Sequence, residues 1–550
     1  MGLLWKTIKS FNRKEKFTAI FFSAILIVSA YFLVVGNTFL GGDDLGENNY
    51  SEGLVGQISR INPVFTEFSD VDADISSLVF SGLVKYNPLT ETFDEDLATH
   101  TLSEDKLVYT FTLKNDLNWQ DGEELSADDI YFTYAEVIQN ENFKNPILKS
   151  NFQGVKVEEL NSRTVTFTLN TPNSFFYSEL TTGILPKHIL KGVPVDELDQ
   201  NEFNKSPVGS GPYKVDGPYQ ANEDGTYSIN LLASDIYYGP RSAVERIRFI
   251  AYPTLEELIA NRSVWHGAAR VRETLLNDID TENMEIYPYS LPQYTALFFN
   301  TDSNILGKNK VRLGISKAVD KSEILRQISY TAQIDTPLLE LNQENWVHTF
   351  DILAAQGALF DSSWKLAEGD IYRRNPEGET FSVRLVRRDF SQSNPTQEEV
   401  FSDSAAIIQS QLKDVGIEVK IETYDDEALS EIIQNRDYDM LLYGQSLGYN
   451  LDTFSYWHSS QVGESGLNLS NYQNPKADFL IESIRGTFDD NQKNEYMQSL
   501  AKVISEDVPA VFLYTPTYNY LVDSKITGVN VLNIRLPKDR FANIAQWLFN

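Results

Sequence analysis

The chain has 550 residues, which is too long for one hydrophobic core and fits two to three domains. Its net charge of −32 argues against nucleic acid or anionic lipid as a partner, since both are polyanions. The chain has no cysteine, which excludes disulfides, zinc–cysteine sites, iron–sulfur clusters, thiol catalysis and a lipid-modified cysteine. The five histidines are scattered along the chain, so we expect no metal site and no cofactor.

The N-terminus combines a basic segment, an apolar run and a linker. Residues 1–16 carry a local charge of +4, and residues 17–40 carry no charge at all. At about 1.5 Å per residue, the apolar run is long enough to cross a hydrocarbon core of about 30 Å. We predict an uncleaved transmembrane anchor, with a cleaved signal peptide as the alternative. The basic flank stays in the cytoplasm in either case, so the rest is exported after a flexible linker at 41–50.

The first half of the chain has the alternation of antiparallel strands. Aromatic and aliphatic residues alternate with valine or threonine over Leu107–Leu113 and with threonine over Arg163–Leu169. Between them, Ser126 and Asp129 form a capping box that predicts a helix running to about Ile138.

The second half has the rhythm of an α/β lobe. Start and stop signals, including the glycine at Gly416, predict helices that alternate with apolar strands and a parallel element in the sheet. One predicted helix begins at Asp320, and two others cover about 397–414 and about 426–434. The predicted strands are 417–422 and 440–443.

Catalytic signatures fail when they are examined one by one. Gly209-Ser-Gly-Pro-Tyr-Lys214 begins like a dinucleotide-binding loop, but Pro212 and Lys214 break the pattern and indicate a turn before a strand. The acidic pairs at 128–129 and 425–426 fit helix starts better than a glycosidase site. We therefore predict no catalytic residue.

Several motifs in a fixed order resemble a known family. Any one of them is weak, but together they extend from Ser51 nearly to the C-terminus. Their order resembles the family 5 extracellular solute-binding proteins, which are the oligopeptide- and dipeptide-binding subunits of ABC importers. The main motifs are Ser81–Tyr86, Phe111–Gly122, Leu125–Tyr134, Pro207–Tyr213, Phe298–Asn300, Val311–Lys321, Leu412–Val419, Tyr438–Gly444 and Pro509–Tyr514.

This resemblance implies an α/β, two-lobed periplasmic-binding-protein-like fold with a small extra domain inserted in the first lobe. The two lobes would close on a ligand about hinges near Pro292 and Phe512. The implied domains are the first lobe at 51–86, 206–292 and 513–550, the small domain at 87–205 and the second lobe at 293–512.

The resemblance also implies where a ligand binds. Family contacts fall at the end of the strand 438–444, in the segment after it and before Ser81. Two departures are notable: Gln445 replaces a common tryptophan, and Gly448 stands where peptide receptors have an aspartate that pairs with the ligand's α-amino group. Asp452 is the nearby acid that could replace it. The expected ligand-binding residues are Asp70, Asp72, Asp74, Tyr294, Gln445, Ser446, Leu447, Gly448, Tyr449, Asp452 and Trp457.

The sequence thus predicts a membrane-anchored, extracellular substrate-binding subunit that is monomeric and has no catalysis of its own. It would bind an oligopeptide or similar extended solute and deliver it to an ABC permease. Two alternatives stay open: an exported hydrolase acting on glycans or peptides, and a surface-interaction protein that reuses the fold without transport. The sequence leaves the solute and the permease unidentified.

Overall fold

The computed structural model describes residues 48–329, 332–346, 348–391, 395–449, 451–463 and 466–550. The predicted basic segment, the membrane span at 17–40 and most of the linker lie outside these residues. Within the described ranges, no helix is both long and apolar enough to cross a bilayer.

The first lobe is built on an eight-stranded sheet. Its central strand, Asn49–Val55, is parallel to both of its neighbours, Arg246–Tyr252 and Gly267–Val271, and the other pairings are antiparallel. Aromatic and aliphatic side chains, among them Trp547, pack on this sheet. Its strands in spatial order are Met284–Ser290, Thr517–Asp523, Gly267–Val271, Asn49–Val55, Arg246–Tyr252, Tyr227–Ala233 and Tyr213–Val215, with Gln220–Ala221 paired beside Tyr227–Ala233.

A four-stranded antiparallel sheet carries the small domain. The two predicted strands are confirmed as Val108–Leu113 and Thr164–Thr168, which lie side by side between Ala98–Leu102 and Lys156–Asn161. The capping box is also present, since Asp129 Oδ2 accepts from the Ser126 backbone at 3.0 Å. The predicted helix is confirmed as Ala127–Tyr131, followed by a π-helical stretch to Ile138 in which Thr133 Oγ1 donates to the Asp129 carbonyl.

The second lobe has a five-stranded mixed sheet with helices on both faces. The predicted strands are confirmed as Glu418–Tyr424 and Met440–Ser446, and both are parallel to Ser382–Arg388, which lies between them. Gly416 has φ +83°, a left-handed conformation that ends the preceding helix at little cost. The sheet order is Glu418–Tyr424, Ser382–Arg388, Met440–Ser446, Gln293–Phe299 and Ala510–Tyr514.

The helices divide between the lobes. The first lobe has Asp70–Val79 and Leu255–Ala260, and the small domain adds Pro146–Asn151, Phe176–Glu179 and Lys187–Leu190. The second lobe has most of the long ones, including the predicted helices after Asp320 and Pro395. Its helices are Asn309–Ala318, Lys321–Ile328, Ile352–Asp361, Pro395–Asp414, Asp426–Asn435, Phe454–Trp457, Pro475–Gly486 and Asp490–Asp507.

Two short connections join the lobes. Residues 291–292 link the first-lobe strand Met284–Ser290 to the second-lobe strand Gln293–Phe299. Residues 515–516 link Ala510–Tyr514 back to Thr517–Asp523. Two adjacent two-residue connections form a natural hinge, since few backbone angles need to change when one lobe rotates on the other. The domain boundaries stay a prediction.

Candidate ligand-binding site

A cavity of about 490 Å³ lies between the lobes. Its walls come from the first-lobe helix Asp70–Val79, the small domain at 147–151 and 173–183, the second-lobe segment 446–456 and the C-terminal residues 536–538. Cavities of about 300–1,000 Å³ that combine apolar walls with a few placed polar groups are typical small-ligand sites.

The structure brings most of the expected ligand residues to this cavity. Seven of them line it: Asp70, Asp74, Ser446, Leu447, Gly448, Tyr449 and Asp452. The other four, Asp72, Tyr294, Gln445 and Trp457, are not among its lining residues. Their contacts show what they do instead.

Tyr294, Gln445 and Trp457 form a buried chain of hydrogen bonds behind the second-lobe wall of the cavity. The Tyr294 hydroxyl donates to Gln445 Oε1 at 2.5 Å, and Trp457 Nε1 donates to the Tyr294 oxygen at 3.2 Å. Gln445 Nε2 also donates to the Leu467 carbonyl at 3.3 Å. A buried amide needs such partners, so the glutamine at the position of the common tryptophan is held in the core by polar neighbours.

Asp72 organises a turn of the first lobe. Its carboxylate accepts hydrogen bonds from Ser59 N at 2.9 Å, Ser59 Oγ at 2.6 Å and Arg60 N at 3.0 Å. Burial raises the pKa of Asp72, and these hydrogen bonds oppose that rise. The carboxylate therefore ties the chain before the helix to the first turn of the helix.

Asp74 lies at the cavity floor within a buried charge network. Arg540 donates to both of its oxygens at 2.8 Å, and Arg270 Nη2 donates to Oδ2 at 2.8 Å. Arg540 continues the network to Glu52. Burial opposes ionisation of Asp74, but the two arginines outweigh it and hold its pKa below the ordinary value. The network joins the helix, a strand of the sheet and the C-terminal segment.

Asp452 is already paired with a cation. Arg485 Nε donates to Asp452 Oδ2 at 2.7 Å, and Asp452 Oδ1 accepts from Phe454 N at 3.0 Å. The Arg485 guanidinium also stacks over the Phe454 ring at 4.1 Å. A ligand ammonium at Asp452 would have to compete with this arginine, so Asp452 is a poor substitute for the aspartate missing at Gly448.

Side chains of both lobes meet on two sides of the cavity. On one side, the Tyr449 hydroxyl donates to Asp539 Oδ1 at 2.7 Å. Burial first, and then the Asp539 carboxylate, raise the pKa of Tyr449, so this phenol stays a proton donor at neutral pH. On the other side, Ser174 N donates to the Arg485 carbonyl at 2.7 Å, and the Lys493 ammonium lies 4.7 Å from the Phe175 ring centre. These contacts cross the cleft from the second lobe to the first lobe and to the small domain.

Sequence reasoning missed the walls contributed by distant segments. Asn151 donates to Glu179 Oε2 at 2.7 Å on the small-domain wall, and Lys538 lines the cavity from the C-terminal segment. No local pattern marks these residues, because the tertiary fold alone brings them next to the loop 446–452. Among the described residues, no cluster of His, Asp and Glu is arranged to hold a metal ion.

Comparisons with known proteins agree with this architecture. The profile of the bacterial extracellular solute-binding proteins, family 5 (middle region), matches residues 92–466. The oligopeptide-binding protein AppA of Bacillus subtilis is 27% identical over 97% of this chain and 99% of its own length.

Solved structures show the same likeness over most of the chain. The structure of Bacillus subtilis AppA in complex with a nonapeptide superposes with a TM-score of 0.71 at 26% identity, covering 91% of this chain and 99% of that one. NikZ of Campylobacter jejuni in complex with Ni(L-His) gives 0.74 at 25% identity and the same coverages. These relatives are binding proteins, which confirms the expectation of no enzyme activity and leaves the hydrolase alternative without support. The chain belongs to the family 5 extracellular solute-binding proteins.

Proposed function

We propose that this chain is the substrate-binding subunit of an ABC importer, and that it encloses a peptide or similar extended solute between its lobes. The cavity of about 490 Å³ between lobes joined by two short connections carries the proposal. Rotation about such a hinge buries a ligand, and closure then gives a permease a liganded shape to recognise.

Residues 17–40 would hold the protein on the outer face of the membrane as a single-pass anchor. This part of the proposal rests on the sequence pattern: a basic flank, an uncharged apolar run and a short polar linker. The tether would keep a monomeric receptor near its permease and so raise its local concentration there.

The solute class is the open element of the proposal. AppA was solved with a nonapeptide and NikZ with a nickel–histidine complex, so peptides and small chelates are both represented among the relatives. We favour peptides for this chain because the comparison with AppA covers nearly its whole length. The glycine at position 448 suits a peptide whose N-terminus is blocked, or one that places an internal segment rather than its N-terminus beside this glycine.

Native mass spectrometry of the full-length protein in detergent tests the proposal. We expect a bound species that is released on denaturation and identified as a peptide. Ser446→Trp should reduce its occupancy at least ~10-fold, because an indole would take up cavity volume. The matched control is Ser524→Trp, at an exposed position away from the cavity, which should leave occupancy unchanged.

An empty protein whose melting temperature also fails to rise with a peptide mixture would contradict the peptide proposal. Ligands that bind the native state raise its melting temperature by mass action, so this second measurement detects solutes too weak to survive purification. Equal loss of ligand in both tryptophan variants would place the binding site outside the cavity.

A further inference from the structure

A second cavity, of about 650 Å³, lies beside the first. Three stretches of chain pass directly from lining one cavity to lining the other, so the two spaces share a wall. These junctions are Pro292–Gln293 at the hinge, Leu451–Asp452 in the second-lobe loop and Arg535–Leu536 in the C-terminal segment. Both cavities are lined by residues of the first and second lobes, so both are interlobe spaces.

Tyr449 lines the first cavity, and its ring contacts Tyr86, whose hydroxyl donates to the carbonyl of Asn533 in the lining of the second cavity. It comes from the second lobe, yet its hydroxyl donates to Asp539 and its ring centre lies 5.3 Å from that of Tyr86, both on the opposite side of the cleft. The Lys538 ammonium lies 5.5 Å from the Tyr449 ring centre. The side chain therefore spans the gap between the lobes, on the side of the first cavity that faces the second.

The partners of Tyr449 are themselves fixed. Asp539 Oδ2 accepts from the backbone N–H groups of Arg535 at 3.0 Å and Leu536 at 2.8 Å, and Arg535 Nε donates to the Tyr86 hydroxyl at 3.2 Å. The first-lobe half of the wall is thus a connected set of hydrogen bonds. On the second-lobe side, Tyr449 is the side chain that reaches this set, and one substitution can remove its ring while the backbone junctions stay in place.

We propose that Tyr449 divides the interlobe space into two compartments and thereby limits how long an extended ligand the closed protein can enclose. This inference rests on the proposed function and adds a determinant of ligand length to it. With the ring in place, a ligand is confined to the compartment of about 490 Å³. Without the ring, an extended chain, which gains about 3.3 Å per residue, continues into the compartment of about 650 Å³.

The test uses full-length protein and a ladder of N-acetylated alanine–serine peptides of two to ten residues, read out by native mass spectrometry. The wild type should show an upper length limit. In Tyr449→Ala, affinity for peptides beyond that limit should rise at least ~10-fold relative to peptides below it. Tyr449→Phe is the matched control: it keeps the ring and loses the hydrogen bond to Asp539, so the limit should stay.

The inference is overturned if Tyr449→Ala binds peptides with the same length limit as the wild type. A crystal structure of Tyr449→Ala gives a ligand-independent readout, in which the two cavities should be continuous. If the two cavities stayed separate in that structure, Tyr449 would not be what divides them, and the inference would be overturned even if the variant binds no peptide. Failure of every protein in the series to bind any peptide, with a continuous cavity in the crystal, would instead contradict the proposed function.

Discussion

Asp74→Asn should lower the free energy of unfolding by about 3–5 kcal/mol, which is the range for breaking a buried ion pair by removing one partner. The aspartate is fully buried between Arg270 and Arg540. The substitution leaves two guanidinium groups near each other, with Glu52 as the remaining buried carboxylate of Arg540. Urea titration followed by tryptophan fluorescence measures the loss.

Asp70→Asn is the matched control for this prediction. Asp70 lies one helical turn before Asp74 and also pairs with Arg270, at 3.3 Å, but its side chain is 64% exposed. Water screens this pair, so we expect a change within about 1 kcal/mol. Similar losses in the two variants would mean that the buried network does not distinguish the two carboxylates.

The pH dependence gives a second check on Asp74. Its pKa is lowered in the folded state, so its stabilising contribution is present above the pKa of about 3.9 in the unfolded chain. That contribution is lost as the pH falls from there through the folded-state pKa. The difference in stability between wild type and Asp74→Asn should therefore shrink below about pH 4. A difference that stays constant across this range would show that the carboxylate acts through packing rather than charge.

Local sequence patterns predicted the helices and strands whose buried residues recur at regular intervals along the chain. Strands such as Val108–Leu113 alternate cleanly because one face packs on the small-domain core. The strand Ser382–Arg388, an interior strand of the second-lobe sheet, was not predicted, and three of its seven residues are arginines. Arg384 pairs with Glu422 at 2.8 Å and Arg387 with Glu398 at 2.6 Å. These partners are supplied by tertiary structure, which a local pattern cannot contain.

The candidate site also has a part that could be predicted from the sequence and a part that could not. The segment 445–450 and Asp452 were expected at the ligand from the family resemblance, and the structure places Ser446, Leu447, Gly448, Tyr449 and Asp452 on the cavity wall. Trp457 was expected beside a ligand because aromatic residues often are. The structure buries it against Phe298, with ring centres 6.0 Å apart, and its indole N–H is satisfied by Tyr294. A sequence shows that an aromatic residue is present, but whether its side chain faces the core or the cavity depends on the neighbours that tertiary structure brings to it.

Gly448 is the position where sequence and structure together say most about specificity. It lines the cavity, and a Cβ atom added there would meet no heavy atom within 4 Å. Its φ of +66° is a left-handed conformation that aspartate and asparagine tolerate better than most residues. The site can therefore accept the acid that peptide receptors use. With glycine in place of that acid, the α-ammonium of a free peptide finds no carboxylate at position 448. The nearby carboxylate of Asp452 is already paired with Arg485.

Gly448→Asp should accordingly create a preference for peptides with a free N-terminus. A charged hydrogen bond contributes about 1.5–3 kcal/mol, so the affinity for a free peptide relative to its N-acetylated copy should rise about 10- to 150-fold. Isothermal titration of both peptides against wild type and variant measures the ratio. Gly448→Asn is the control, since it has the same shape and the same backbone tolerance but no charge, and its ratio should stay at the wild-type value. If both variants shifted the ratio equally, the effect would come from volume at position 448, and the missing carboxylate would not explain how this cavity discriminates between ligand N-termini.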